Sequence, residues 1–477
     1  MSGNKKPFSF SLSDLDSEKE LKTDGCFSMP AAGNRNNGST TMNNVGTNGN
    51  YWSATPNGTT NAYNLNFNST NANTNNNNRN NGFTVRCVSA LTHAVCSSSF
   101  VLDKNRLLAD LIEAYYDARR HKRNTHNQLR FEMCMEEELV KLRDELYERK
   151  YRVGRSTCFI VEEPKKREIF AAGFRDRVVH HLLFNYVNPL FERTFIADSY
   201  SCRKKKGTWY GINRLAHHIR SCSDNYTHRC YVLKMDIKGY FMSINRIKLL
   251  SVCEAQLQKM ACRRIYANGP RWSESVDIGF VLYLLKTIIE NEPTEKCVVK
   301  SPMHCWNGLP LDKSLFYTPA NCGLPIGNLT SQLFSNIYLN QLDQYVKRVL
   351  REKHYGRYVD DFFIVSRNKE RLLIDLKEIQ TFLKQELGLS LNHHKTELIR
   401  TDYGIGFLGA FVKPHRLYVH NRTKKRIFRA VHSMNDQADT AYVLNRINSY
   451  QGHLGHFKCG AISRKLFTDL IICMAGL

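Results

Sequence analysis

Two adjacent aspartates, Asp360 and Asp361, interrupt an otherwise apolar stretch, Arg-Tyr-Val-Asp-Asp-Phe-Phe-Ile-Val at residues 357–365. Side by side between hydrophobic arms, two carboxylates repel each other and resist leaving water unless a cation joins them. A hard ion such as Mg2+ takes oxygen ligands and commonly uses one or two protein carboxylates beside substrate phosphates. A third carboxylate, Asp236, lies far off in the chain within Tyr-Val-Leu-Lys-Met-Asp-Ile at 231–237 and would complete such a cluster. Two ions about 3.5–4 Å apart can stabilise the attacking and leaving oxygens of an in-line phosphoryl displacement. An isolated Asp-Asp pair is more often a solvated turn, so the surrounding elements decide its meaning.

Residues 357–365 read as two short apolar arms around an acidic turn, a hairpin pattern, although Asp-Asp is a weaker turn former than Asp-Gly. Residues 231–237 alternate, with Leu233, Met235 and Ile237 on one face and Lys234 and Asp236 on the other. That predicts a half-buried strand carrying its carboxylate toward open space. Helical spacing of Met135, Leu139, Leu142 and Leu146 predicts a helix ending near Lys150, and Val178–Phe191 reads as another. Residues 331–350 predict a helix with Leu333, Ile337, Tyr338, Leu342, Tyr345 and Val349 along one side. Helices return from Arg371, and the portion after Lys413 is basic. A mixed sheet with helices on one face is an α+β arrangement. No internal repeat is present.

The charge balance narrows the partner. With 68 Lys+Arg against 44 Asp+Glu in 477 residues, the formal charge is +24 and the pI about 9.4. Seven basic and five acidic residues precede residue 90, so +22 of that charge belongs to the rest of the chain. Nucleic acid is the leading partner, because Lys and Arg release counterions as they meet backbone phosphates. A membrane surface fits less well, since the basic residues are not gathered on one amphipathic helix. The 15 cysteines are odd in number, scattered and without a C-x-x-C pair, which argues against a disulfide framework or a zinc knuckle and for a reducing, cytoplasmic setting. Neither a signal peptide nor a membrane span is evident. From Gly33 to Gly82 the chain is dominated by Asn, Gly, Thr and Ser, including Asn75–Asn78, a composition for which disorder is expected.

Tyr358-Val359-Asp360-Asp361 resembles the Y-x-D-D box of reverse transcriptases, and 235–244, MDIKGYFMSI, resembles their preceding acidic motif. The likeness runs through roughly residues 100–477. It implies a right-hand polymerase: fingers over 100–230, a palm over 231–412 with a helical insertion around 254–320, and a small helical thumb over 413–477. It implies two Mg2+ ions, with Mn2+ as a possible substitute, on Asp236, Asp360 and Asp361. Phe241 would be the steric gate that rejects a ribose 2′-OH, although a core phenylalanine fits the alternation equally. Lys165 and Arg167 would meet the incoming triphosphate, Ile237 would border the nucleotide, and Lys395 would donate a proton to pyrophosphate. GFLGAFV resembles the primer-grip block. The implied partners are template RNA, the primer and its cDNA, and dNTPs.

Residues 323–332, GLPIGNLTSQ, carry Ile326 and Gln332 where most of the family has Gln and Pro. This I-G-x-x-x-S-Q form is similar to the enzymes of diversity-generating retroelements, which copy a template repeat with errors at adenines and usually work with a small basic accessory protein. An aliphatic Ile326 in place of a side-chain amide would remove hydrogen bonds to the nucleotide and lower fidelity. The upstream segment, including Tyr51-Trp52-Ser53 and Gly82-Phe83-Thr84-Val85-Arg86, resembles the C-type-lectin-fold targets of such elements. Residues from about Cys26 to Ser89 therefore read as the template repeat translated in frame, with natural translation starting near Val101. A genuinely translated Asn-rich tail and a lectin-like binding module are the rival readings of that segment. For the whole chain, a group II intron-type or retron reverse transcriptase is the runner-up, and a non-catalytic RNA-binding scaffold is the reading from another class.

Overall fold

The computed structural model describes residues 102–466 apart from 121–123, 164, 265–270, 434–439 and 458, together with residues 21–23, 27–29, 47, 49–57, 61–68, 72–78 and 100. Two compact units divide the chain, Met1–Ser97 and Ser98–Leu477. In the first, Gly49–Asn57, Asn61–Phe67 and Ala72–Asn78 form a three-stranded antiparallel sheet, and Leu21–Thr23 pairs with Phe27–Met29. The expectation of disorder therefore fails for these strands. A ladder satisfies backbone donors and acceptors whatever the side chains, and Tyr51 supplies a buried aromatic anchor. The closing Gly82–Arg86 and the start near Val101 lie outside the described residues.

The second unit is a mixed α/β fold of many helices and small antiparallel sheets. Helices α1 (Lys104–Arg119), α2 (Met135–Tyr147) and α3 (Phe174–Phe191) pack together. Leu139, Leu142 and Leu146 are buried as their spacing requires. Strands β1 (Thr157–Val161) and β2 (Arg167–Ala171) form an antiparallel hairpin, followed by α4 (Thr208–Cys222). The central sheet contains β3 (Tyr231–Asp236), β4 (Tyr355–Tyr358), β5 (Asp361–Ser366) and β6 (Glu397–Arg400), in the order β4-β5-β3-β6 and antiparallel throughout.

Both faces of this sheet are covered, which corrects the one-sided arrangement expected from the sequence. Leu233, Met235, Ile237, Phe362 and Ile364 join a core with α1–α3. Their alternates Val232, Phe363 and Val365 join a second core with Ile212, Leu215 and Ile219 of α4. That second core continues into Ile405, Phe407, Ala410 and Val412, and then into Ile427 and Val431 of a C-terminal helix, Asn421–His432. Accordingly β3 is not half-buried: both of its faces meet apolar side chains, and Asp236 is only 4% exposed.

Two further expectations need adjusting. After Arg371 the chain is not helical throughout, because Ile405–Phe407, Ala410–Lys413 and Arg416–Val419 form a three-stranded antiparallel sheet. These strands are only three or four residues long, too short for periodicity to declare them. The helix Leu329–Gln344 buries Leu333, Ile337, Tyr338 and Leu342 as expected. It then widens to a π-helix at Tyr345–Val349. The wider turn shifts the phase of the stripe, so Val349 ends 63% exposed instead of buried.

Candidate active site

Asp236 closes β3 and Asp361 opens β5, and the antiparallel register sets the two directly opposite one another. Asp360 occupies the tight turn between β4 and β5, where Tyr358 pairs with Asp361 across Val359 and Asp360. The Ile237 N–H donates to the Asp360 carbonyl at 3.3 Å, tying the turn to the end of β3. Three carboxylates from two distant segments thus meet at one corner of the central sheet. Val359 is at φ +55°, a left-handed conformation costing a β-branched residue about 1–3 kcal/mol. Such strain persists only where the surroundings over-determine it.

Arg357 supplies that determination. Its guanidinium is fully buried and all five of its N–H groups find acceptors. Nε and Nη2 donate to the two Asp343 oxygens at 2.8 and 2.6 Å. Nη1 donates to Asn336 Oδ1 at 3.3 Å and to the Val359 carbonyl at 3.0 Å, and Nη2 also reaches Ser199 Oγ at 3.3 Å. Tyr355 adds a hydroxyl donor to Asp343 at 2.6 Å. Sequence reading passed over Arg357 although it stands two residues before the turn. An arginine inside an apolar hairpin arm was the available signal, since a buried charge needs a partner.

Lys395 lies over Asp236, its Nζ 2.7 and 2.8 Å from the two carboxylate oxygens. Asn392 also donates from its backbone N–H to the Asp236 carbonyl at 2.7 Å. Burial alone would lower the Lys395 pKa; the hydrogen bond to Asp236 and the nearby Asp361 and Asp360 charges outweigh it and raise it. Burial, then the charges of Asp361 and Asp236, push Asp360 up to about 6. Burial also raises Asp361, with Lys234, Lys395 and Lys165 working against the shift. Burial thus disfavours the charged forms of both carboxylates in this corner. Among the described residues, no group of three or more His, Cys, Asp or Glu side chains is set to hold a metal ion as it stands. The register gathers the three aspartates at this corner, and Lys395 occupies both oxygens of Asp236. Their all-oxygen donors suit a hard divalent cation.

The other expected residues divide. Lys165 is exposed and its charge acts on Asp361, while Arg167 is exposed at the start of β2. Phe241 and Ile326 pack against one small apolar cluster containing Cys158, Phe170, Met242 and Leu315. Gln332 is exposed on its helix. The Ile237 side chain is 1% exposed within the large core, so only its backbone borders the corner.

The profile of the family described as reverse transcriptase (RNA-dependent DNA polymerase) matches residues 164–412, just over half of the chain. Residues 8–88 match the profile of a domain of unknown function (DUF8237). Protein YkfC of Escherichia coli (strain K12) is 26% identical over 314 residues, which cover 59% of this chain and 71% of that protein. Among solved structures, the chain is similar to apo telomerase from Candida tropicalis truncated from its C-terminal domain, with a TM-score of 0.40 and 13% identity over 56% of this chain and 55% of that one. It is also similar to telomerase from Candida albicans in complex with a TWJ fragment of telomeric RNA, with a TM-score of 0.43 and 12% identity over 73% and 59%. The chain spans a little over half the length of those telomerases. No described helix is long and apolar enough to cross a membrane.

Proposed function

The chain belongs to the reverse transcriptase (RNA-dependent DNA polymerase) family, and from that premise we propose that it copies an RNA template into DNA at Asp236, Asp360 and Asp361. The supporting observation is the register that sets Asp236 opposite Asp361, with Asp360 in the adjoining turn. The central sheet would be the palm of a right-hand polymerase, the β1–β2 hairpin part of its fingers, and the C-terminal helices its thumb. The three carboxylates would hold two Mg2+ ions, for which Mn2+ could substitute. What divalent ions supply when bound to such carboxylates is a lower pKa for an attacking hydroxyl and neutralisation of a leaving pyrophosphate. Lys395 holds a proton on Nζ beside Asp236, and it can release that proton to pyrophosphate once this carboxylate is otherwise engaged. Lys165 and Arg167 would meet the triphosphate.

The finer proposal is that synthesis is error-prone at template adenines and serves a diversity-generating retroelement, with a small basic accessory protein as partner. Ile326 with Gln332 supports it, because an aliphatic side chain offers the nucleotide no hydrogen bonds. Residues from about Cys26 to Ser89 would be the translated template repeat, a property of the nucleotide sequence that a folded sheet at 49–78 leaves untouched. Primer extension on a defined RNA with Mg2+ and dNTPs, followed by sequencing of the cDNA, tests both levels. The expected product carries errors concentrated opposite adenines, and Ile326→Gln reduces them at least about fivefold, the worth of one modest hydrogen bond. Accurate copying at adenines by the unaltered chain would remove the mutagenic reading and leave the polymerase.

A further inference from the structure

Glu168 is fully buried, and its carboxylate accepts three hydrogen bonds from one downstream segment. Oε2 accepts from Trp306 Nε1 at 2.7 Å and from Ser314 Oγ at 2.9 Å, and Oε1 accepts from the Leu315 N–H at 2.6 Å. All three donors are neutral, so this carboxylate is held by geometry, not by a countercharge. A carboxylate out of water demands such donors, and hydrogen bonds to it are about twice as strong as neutral ones. The same hairpin grips the segment elsewhere. Lys166 Nζ donates to the Cys305 and Asn307 carbonyls at 3.1 and 3.0 Å, and Ile160 N–H donates to Ser301 Oγ at 3.0 Å.

What the segment carries gives the clamp its consequence. Leu315, whose backbone Glu168 fixes, belongs to the small cluster against which both Phe241 and Ile326 pack. Backbone hydrogen bonds join the same parts: Leu324 N–H to the Phe241 carbonyl at 2.8 Å, and Phe170 N–H to the Ile326 carbonyl at 2.9 Å. Asn328 Oδ1 accepts from the Ala172 N–H at 3.1 Å. The approach is close enough that a Cβ on Gly323 would fall 2.6 Å from Leu315 Cδ1, and one on Gly327 would fall 2.9 Å from Ile169 Cγ2. Neither position has room for a side chain.

We propose that Glu168 is a positioning residue for nucleotide selection: by clamping residues 306–315 to β2, it holds Leu315 against Phe241 and Ile326, and so fixes the wall that meets the incoming sugar and base. This rests on the polymerase reading and on Phe241 as its sugar gate. The hydrogen-bond partners of Glu168 are Trp306, Ser314 and Leu315, none of them one of the three aspartates. A glutamine of the same shape would turn an amide N–H2 toward groups that are themselves donors, loosening the clamp without emptying the space.

The test compares kcat/KM for dNTPs and rNTPs in primer extension by the full chain and by Glu168→Gln, Trp306→Phe and Phe241→Ala. Loosened positioning predicts a dNTP-over-rNTP ratio at least about fivefold lower in Glu168→Gln and a smaller fall in Trp306→Phe, which removes one donor and keeps the ring. Phe241→Ala, the direct test of the gate, should lose most discrimination. A merely structural role would lower both kcat/KM values together and leave their ratio unchanged, which would overturn the proposal. An unchanged ratio in Glu168→Gln beside a collapsed one in Phe241→Ala would reject the clamp and keep the gate. Undiminished discrimination in Phe241→Ala would remove the gate, and this proposal with it. Should Glu168→Gln fail to fold, an unchanged ratio in Trp306→Phe counts against the clamp.

Discussion

Asp360→Asn should abolish RNA-templated DNA synthesis, by about a thousandfold or more, while leaving the protein folded and as stable as before, or more so. The loss follows from removing one of three carboxylates that would hold the divalent ions, where a barrier change of about 4 kcal/mol is a factor of a thousand. The unchanged or raised stability follows from the electrostatics of the same corner. Burial and the charges of Asp361 and Asp236 push the Asp360 pKa up to about 6, so at neutral pH the folded state holds a charge it disfavours. A neutral amide of the same shape relieves that cost. Primer extension, the melting temperature in the presence of a chelator and RNA affinity together check the prediction. Lower stability and weaker RNA binding alongside the lost activity would make Asp360 a structural residue instead.

Asp343→Ala should be among the most destabilising single substitutions in the chain. It strips the buried Arg357 guanidinium of two hydrogen bonds and its countercharge, and orphaning one member of a buried pair costs about 3–5 kcal/mol. Replacing both partners with apolar residues, Arg357→Met with Asp343→Leu, should return most of that stability, because no charge is then left without a partner. Synthesis should nevertheless stay depressed by about tenfold or more, since Nη1 no longer donates to the Val359 carbonyl and the strained turn can relax. Urea unfolding combined with primer extension separates the two effects. Full recovery of activity in the double variant would show that the turn needs no clamp.

Much of this site was legible in the sequence because its signals are local. Asp360-Asp361 between apolar arms gives a hairpin, and alternation around Asp236 gives a strand; the folded chain pairs the two in register. What escaped was information carried by contacts distant in sequence. Asp236 was expected to face open space, yet Lys395, 159 residues on, covers it. The second core, from α4 to the helix Asn421–His432, buries the other face of β3. No window of seven residues reveals whether the polar side of an alternating strand meets water or another layer. The strands between Ile405 and Val419 were missed because they are too short to show a period. The upstream sheet was missed because an Asn-rich composition hides a backbone ladder. Glu168 directly follows Arg167 and Arg357 directly precedes the Tyr358–Asp361 box, but their roles depend on burial and on donors and acceptors from other segments.

Diffraction from crystals soaked in Mn2+, read by its anomalous signal, bears most directly on the claim that these carboxylates serve as a metal-dependent polymerase site. The expected result is manganese bound jointly by Asp236, Asp360 and Asp361, with the Lys395 ammonium withdrawn from Asp236 and the signal gone in Asp361→Asn. Manganese absent from this corner at saturating concentration, with Lys395 still paired to Asp236 while the same protein extends a primer, would place the chemistry elsewhere and contradict the account.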